Sequence, residues 1–141
     1  MITFVDTNVL LDVLAKREHH YDASAAIWTL AESGEITTYI SAISFNNIYY
    51  ILRKFGGRSV ARDALRSLRD VFESVPPDSK IINQAIDSDC DDFEDAIQFH
   101  SAIRVKAQVL ITRNPKDFPA SSVSIATPDE FRTFWSEEST N

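Results

Sequence analysis

The opening of the chain carries the pattern that most restricts its fold. Ile2 to Val5 is a short run of apolar and β-branched residues, which is typical of a buried strand in a parallel sheet. The run ends at Asp6, and apolar residues recur at helical spacing from Val9 to Leu14. A strand followed at once by a helix begins an alternating α/β pattern. It places Asp6 at the carboxyl end of the first strand, the edge where open α/β sheets bind ligands.

The alternation continues along the rest of the chain. Apolar runs and turn residues predict further strands at 36–40, 75–77, 109–112 and 123–125. Helical spacing predicts further helices at 21–33, 41–55, 58–73, 79–86, 93–106 and 128–135, and Gly56 and Gly57 separate the third of the chain's helices from the fourth. The sequence contains no repeat and no linker, so we predict one domain over residues 1–136 and a polar tail over 137–141.

Composition limits the partners and the compartment. The net charge of the 141 residues is -7, so a nucleic-acid partner requires a local basic patch or bound cations to offset it. The single cysteine, Cys90, cannot form an internal disulfide, which fits a reducing compartment. The N-terminus has neither the basic start nor the long apolar run of a signal peptide, and no window reaches the length of a membrane span. We therefore expect a cytoplasmic protein without a membrane partner.

A dense group of acids precedes the helix at 93–106. Asp91, Asp92, Glu94 and Asp95 fall within five positions, and Asp92 and Asp95 are three residues apart, which puts them on one helical face. In the structural interpretation, Asp91 or Asp92 caps the helix and the other acids occupy its first turn, where the helix dipole favours negative charge. Two further acids at distant strand ends favour a functional interpretation as well.

The acids at the strand ends are Asp6 and Asp117, and Asp117 lies just past the predicted strand at 109–112. If the strands are parallel and adjacent, both carboxylates converge with Asp95 at one edge of the sheet. Converged carboxylates repel each other unless a cation is present, and hard oxygen ligands select Mg²⁺ or Mn²⁺. Such a cation can activate a water against a phosphodiester, which is the chemistry of a metal-dependent nuclease.

Basic residues form a stripe along the predicted helix at 58–73. Its four arginines are either a solvated helix face or a docking surface for RNA phosphates or an acidic partner. Two more cations stand next to Asp117 in the sequence. The candidates for RNA or partner binding are Arg58, Arg62, Arg66, Arg69, Arg113 and Lys116.

Four segments match one known family in their order and spacing. They are FVDTNVL at 4–10, SAIS at 41–44, DFEDA at 92–96 and ITRNPKDF at 111–118. On these segments the chain resembles the PIN domain family, and within it the VapC-type toxins of bacterial toxin–antitoxin pairs. The resemblance implies an α/β fold, a three-layer α/β/α sandwich with a mostly parallel central sheet. It also implies an endoribonuclease dependent on Mg²⁺ or Mn²⁺, a small antitoxin partner and a homodimer.

The resemblance also assigns roles to residues. Asp6, Asp95 and Asp117 match the family carboxylates and become the candidate catalytic residues and metal ligands. A second group matches or borders the polar positions around them. These supporting residues are Thr7, Asn8, Asn47, Asp92, Glu94, Thr112 and Asn114.

One position departs from the family pattern. The family usually places a Glu six residues after the Ser that starts the helix at 41, and here that position is Asn47. An amide oxygen can bind a hard cation but brings no charge. Glu94 is a candidate replacement, although an ideal helix turns it about 100° away from Asp95.

Two other functions remain open. A non-catalytic interaction module would use the arginine stripe for RNA or protein binding, with Asn47 marking a weakened site. A phosphatase or phosphotransfer domain would use Asp6 as a nucleophile and form a covalent aspartyl intermediate. The sequence has no recognisable Lys to support that intermediate.

Overall fold

The computed structural model describes residues 1–140, and its centre is a sheet of five parallel strands in the order β3-β2-β1-β4-β5. Helices cover both faces of the sheet, so the predicted three-layer α/β/α sandwich is confirmed. The strands are β1 Ile2–Val5, β2 Thr37–Ser41, β3 Glu73–Val75, β4 Val109–Ile111 and β5 Ser124–Ala126. The helices are α1 Thr7–Leu14, α2 Tyr21–Glu32, α3 Ala42–Val71, α4 Ser79–Ile86, α5 Phe93–Arg104 and α6 Pro128–Thr140, with a 3-10 turn at Pro115–Asp117.

Successive side chains of the central strand enter two separate cores. Val5 packs in a cluster with residues of α1, α2, α3 and α6, whereas Phe4 packs in a cluster with residues of α4 and α5. Both side chains are almost fully buried. The unbroken apolar run of β1 follows from this arrangement, because a strand covered on both faces has no solvent side.

The strand order reverses direction at β1, and this position defines the functional edge. The chain builds β2 and β3 on one side of β1, and β4 and β5 on the other. Val5 of β1 is in register with Ile111 of β4, so both strands end at the same level. The residues that follow them, Asp6 and Thr112, therefore lie together at the switch point where open α/β sheets bind ligands.

The third and fourth predicted helices follow one another in α3, separated by a kink. Only Gly57 leaves helical geometry within α3, with φ 83° and ψ 178°. Gly57 therefore divides α3 into two helical halves at the position that the sequence predicts. Although α3 has 30 residues, neither it nor any other helix within residues 1–140 combines the length and the apolar character needed to cross a membrane.

Several predicted boundaries are displaced, most of them by one or two residues. The short strand before the two prolines is β3 at Glu73–Val75, two residues earlier than the predicted range 75–77. Helix α6 continues past the predicted end at 135 and reaches Thr140. Most of the predicted polar tail is thus helical, and its last residue, Asn141, lies outside the described residues.

Candidate functional site

The Asp6 carboxylate is buried and held in place by hydrogen bonds. It follows β1 directly and is 4% exposed. The Thr112 hydroxyl donates to its Oδ2 at 2.8 Å, and the Gln98 amide donates to its Oδ1 at 3.0 Å. Burial raises the pKa of Asp6, whereas the hydrogen bonds from Thr112 and Gln98 lower it. Strands β1 and β4 and helix α5 therefore meet on one acidic side chain.

Gln98 was not predicted from the sequence as a site residue. Its Oε1 accepts the backbone N–H of Thr7 at 3.0 Å, and this donor fixes the orientation of the amide. Its Nε2 must then face Asp6. Gln98 is 1% exposed and lies three residues after Asp95 in α5. That helical spacing, which puts a polar side chain on the face of Asp95, was the available signal.

The Thr7 hydroxyl links the acidic segment to α3. Its oxygen lies 2.7 Å from the Ser44 hydroxyl and 2.9 Å from Oε1 of Glu94. A hydroxyl has one proton, and Gln98 already accepts from the Thr7 backbone, so the Thr7 proton is best placed on Glu94. Glu94 therefore bends back toward the residue next to Asp6, despite its direction on an ideal helix.

The first turn of α5 combines capping with repulsion. Asp92 is the N-cap residue, and its Oδ1 accepts the backbone N–H of Asp95 at 2.9 Å, as predicted. Burial, and after it the charges of neighbouring carboxylates, together raise the pKa of Asp95 to about 7. Those neighbours are Asp6, Asp92, Asp117 and Glu94. The charges of Asp6 and Asp117, the two other predicted ligands, are thus among the causes that raise the pKa of Asp95.

Asp117 lies in the 3-10 turn after β4 and is exposed. It lines a cleft of about 430 Å³ together with Asp95. The other side chains of the cleft come from the loop before α5 and from the turn itself, and they are Asp89, Cys90, Asp91, Asp92, Lys116, Phe118 and Pro119. Lys116 is the one cation among them, so the cleft is strongly acidic.

The three asparagines predicted as supporting residues differ in how far they are buried. Asn47 is half-buried and lies three residues after Ser44 on α3, on the helix face that meets Thr7. Asn8 is half-buried in the first turn of α1, and its backbone N–H lowers the pKa of Asp6. Asn114 is exposed, and its backbone N–H donates to the Thr112 hydroxyl at 3.2 Å.

The predicted basic stripe lies on the second half of α3, and none of its arginines lines the acidic cleft. Arg66 pairs with Asp63 and Arg69 with Asp70, whereas Arg58 and Arg62 have no ion pair within residues 1–140. The Arg62 guanidinium lies over the Tyr49 ring at 5.8 Å. Three of these arginines line a groove with two apolar residues, and the lining set is Phe45, Arg62, Leu65, Arg66 and Arg69.

The chemistry of the donors fits a hard cation. The carboxylates that raise the pKa of Asp95 offer oxygen ligands and a repulsion that a divalent cation would relieve. Within residues 1–140, however, no three Asp, Glu, His or Cys side chains form a group close enough to hold a metal ion. Only Asp6 is fully buried and held by hydrogen bonds, whereas Asp95 and Asp117 are more exposed.

Comparison with known proteins identifies the family. A family model of the PIN domain matches residues 3–116. The chain belongs to the PIN domain family. The match covers all four segments on which the sequence resemblance rests, apart from the last two residues of the fourth, and confirms the predicted family. Among curated proteins, none matches the sequence.

Solved structures share the PIN fold of this chain at low sequence identity. A toxin–antitoxin complex from Klebsiella pneumoniae matches with a TM-score of 0.66 and 23% identity, covering 89% of this chain and 97% of the other. VapBC2 from Rickettsia felis, bound to a promoter DNA fragment, matches with a TM-score of 0.66 and 18% identity over 89% and 97%. VapC20 from Mycobacterium tuberculosis, a toxin that cleaves the sarcin-ricin loop, matches with a TM-score of 0.64 and 16% identity over 77% and 86%.

Proposed function

We propose that this PIN domain is an endoribonuclease dependent on Mg²⁺ or Mn²⁺ and that it is the toxin of a toxin–antitoxin pair. The observation that carries the proposal is the cleft lined by Asp95 and Asp117, where burial and the repulsion of four other carboxylates raise the pKa of Asp95 to about 7. A fold gains nothing from such repulsion, so the site is best explained by a cation that balances it when bound.

In this proposal three carboxylates hold the cation. Asp6 is already fixed by Thr112 and Gln98, and Asp95 and Asp117 would complete the ligand set from the cleft. Asn47 and Asn114 supply neutral polar support. When bound, the cation supplies polarisation of the phosphoryl oxygen and activation of a water for attack on the RNA phosphodiester.

The remaining residues of the site orient the acids or meet the substrate. Thr7, Asn8 and Glu94 set the backbone and side chains next to Asp6, and Asp92 holds the first turn of α5. Lys116 at the cleft and the arginine stripe of α3 offer phosphate contacts, which the net charge of -7 makes necessary. The other candidate cation, Arg113, is a quarter exposed and faces the buried carboxylate of Asp12.

The substitution Asp95→Asn tests the proposal. We expect RNA cleavage and cellular toxicity to be lost, with a fall in kcat/KM of at least about a hundredfold, because the ligand loses its charge and the shape remains. The matched control is Asp87→Asn, an exposed acid at the end of α4 that should cleave RNA normally. A fully active and toxic Asp95→Asn protein would contradict the assignment.

The partners follow from the same proposal. Several solved structures with this fold are toxin–antitoxin complexes, among them those from Klebsiella pneumoniae and Rickettsia felis. We infer a small antitoxin that binds this chain and blocks its cleft, an RNA substrate, a homodimer and a location in the cytoplasm. Co-expression with the product of the adjacent reading frame, followed by size-exclusion chromatography, tests the complex and its stoichiometry.

A weakened binding module is the second candidate function, and Asn47 favours it. The amide in place of the family Glu removes one charge from the ligand set, and the described residues contain no ready metal group. RNA cleavage measured with Mn²⁺ up to millimolar concentration separates the two functions. Cleavage that depends on Mn²⁺ supports the nuclease, whereas RNA or protein binding through Arg62 and Arg66 without any cleavage supports the module.

A further inference from the structure

A second buried carboxylate lies outside the acidic cleft. Asp12 of α1 is 0% exposed. The Arg17 guanidinium lies 3.6 Å from its Oδ1, and the Arg113 Nε lies 3.4 Å from its Oδ2. The Ser24 hydroxyl of α2 also donates to Oδ2 at 3.3 Å. A fully buried carboxylate must be compensated, and these contacts are the compensation that the fold gives Asp12.

The geometry of this cluster argues against stability as its main task. Asp12 Oδ1 and Arg113 Nε are both buried and make no hydrogen bond within the described residues. A buried ion pair without good hydrogen bonds regains little of its desolvation cost, and an apolar pair of the same volume would stabilise the fold as well or better. The ion pair instead restricts the relative position of the two segments that carry it, because each charge must stay close to the other.

The two elements that the pair joins both carry residues of the cleft. Helix α1 begins at Thr7, directly after Asp6, and Asp12 lies less than two turns further on. Arg113 stands between Thr112, which binds Asp6, and Asn114, which begins the turn that holds Asp117. In the turn itself, Lys116 and Asp117 are exposed, and the core holds the turn from its far end through the buried Phe118.

We propose that the ion pair of Asp12 and Arg113 is a clamp that positions the turn at residues 113–117 and thereby sets the distance of Asp117 from Asp6. Both members are positioning residues, and neither touches substrate. The inference rests on the proposed function only for its consequence, metal affinity. The position of the turn can be tested without it.

Amide hydrogen exchange tests the clamp directly. In Arg113→Gln we expect the amides of Asp117 and Phe118, which donate to Asn114 and Pro115, to exchange at least about tenfold faster than in the wild type. Amides in the middle of α5 should keep their rates. The matched control is Arg104→Gln, which breaks the exposed pair with Asp78 at the far end of α5 and should leave the turn unchanged.

Metal affinity tests the consequence, with bound Mn²⁺ measured by electron paramagnetic resonance. Arg113→Gln should weaken Mn²⁺ binding about tenfold, the usual effect of losing a residue that orients a ligand. In an Asp117→Asn background the same substitution should have no further effect, because the ligand that it positions is already gone. A merely structural role would lower the affinity equally in both backgrounds.

The outcomes separate the clamp from the proposed function. Unchanged turn amides in Arg113→Gln would overturn the clamp, as would faster exchange with unaltered Mn²⁺ affinity. A wild-type protein that binds no Mn²⁺ would overturn the nuclease proposal, and the exchange rates alone would then decide the clamp. If Arg113→Gln does not fold because Asp12 is left under-compensated, the double variant Asp12→Asn with Arg113→Gln removes both charges and should show the same faster exchange.

Discussion

At the scale of single residues, two acids of the site differ in how far hydrogen bonds stabilise their charged forms. Asp6 is deeply buried and receives side-chain hydrogen bonds from two elements, which favour its charged form against the effect of burial. Asp95 receives no such compensation, and burial and neighbouring charge both raise its pKa. The ionised form of Asp95 is therefore unfavourable in the folded protein, and a bound cation would stabilise it.

This repulsion predicts that Asp95→Asn stabilises the protein when no divalent cation is present. The pKa of Asp95 is raised from 3.8 to about 7, so the folded state binds its proton more tightly than the unfolded state. The ionised group therefore destabilises the fold, with a penalty that grows as the pH rises from about 4 to about 7 and is constant above that range.

Thermal unfolding in a chelating buffer measures this effect. The melting temperature of Asp95→Asn should exceed that of the wild type by a few degrees at pH 8. The difference should shrink toward zero as the pH falls to about 4. Asp87→Asn serves as the control, and a gap that does not depend on pH would contradict the electrostatic explanation.

At the scale of elements, α5 connects the acidic loop to the end of the central strand β1. Asp92 starts the helix, Asp95 faces the cleft, and Gln98 reaches Asp6 and Thr7 from the next turn. These residues recur every three positions, so they share one face. That face explains why the helix is polar at Gln98 among buried apolar neighbours.

Helix α3 owes its bend to one residue, which gives a prediction at this scale. Gly57 has φ 83° and ψ 178°, a region that is open almost only to glycine. A Cβ there would meet no atom within 4 Å, so its cost is conformational. We expect Gly57→Ala to lower the free energy of unfolding by about 1–3 kcal/mol in urea denaturation.

The neighbouring substitution Ser59→Ala is the matched control for Gly57→Ala. Ser59 is exposed and helical, so its replacement should change stability by less than about 0.5 kcal/mol. Equal stability of Gly57→Ala and the wild type would show that the bend is not set by the backbone of Gly57.

At the scale of the whole molecule, charge is unevenly distributed. The chain carries a net charge of -7, yet one half of α3 presents four arginines, and two of them have no ion pair within residues 1–140. An acidic cleft and a separate basic helix suit a polyanion that is held at one place and cut at another. If the chain is the proposed ribonuclease, we expect its affinity for RNA to depend on α3.

The salt dependence of RNA binding tests this division. Arg62→Gln in the Asp95→Asn background should weaken the affinity for single-stranded RNA and reduce the slope of log K against log salt by about 0.7, the value of one lost phosphate contact. Fluorescence anisotropy over a range of salt concentrations measures both quantities. Arg132→Gln on α6, a residue paired with Asp129, should leave the slope unchanged, and a similar loss in both variants would contradict a specific role for α3.

The sequence by itself determined the fold and the family. The apolar runs that end at Asp6 and Thr112 are unbroken because each strand lies in a sheet covered on both faces, and helical spacing follows the first run at once. Such local patterns predict the alternation of strands and helices. That alternation in turn predicts which residues lie at the carboxyl ends of the parallel strands. The N-cap role of Asp92 was equally local, since a cap bonds an amide only three residues away.

Only the tertiary structure decided which side chains hold that edge together. Gln98 and Asp6 are 92 residues apart, and Thr112 and Asp6 are 106 apart, so no local pattern pairs them. The buried ion pair of Asp12 and Arg113 could not be predicted for the same reason. The sequence shows a charged residue in an apolar helix, but it does not show whether that residue contacts water or a distant guanidinium. The periodicity of the sequence indicates which way a side chain faces, and only the folded structure shows which residues it contacts.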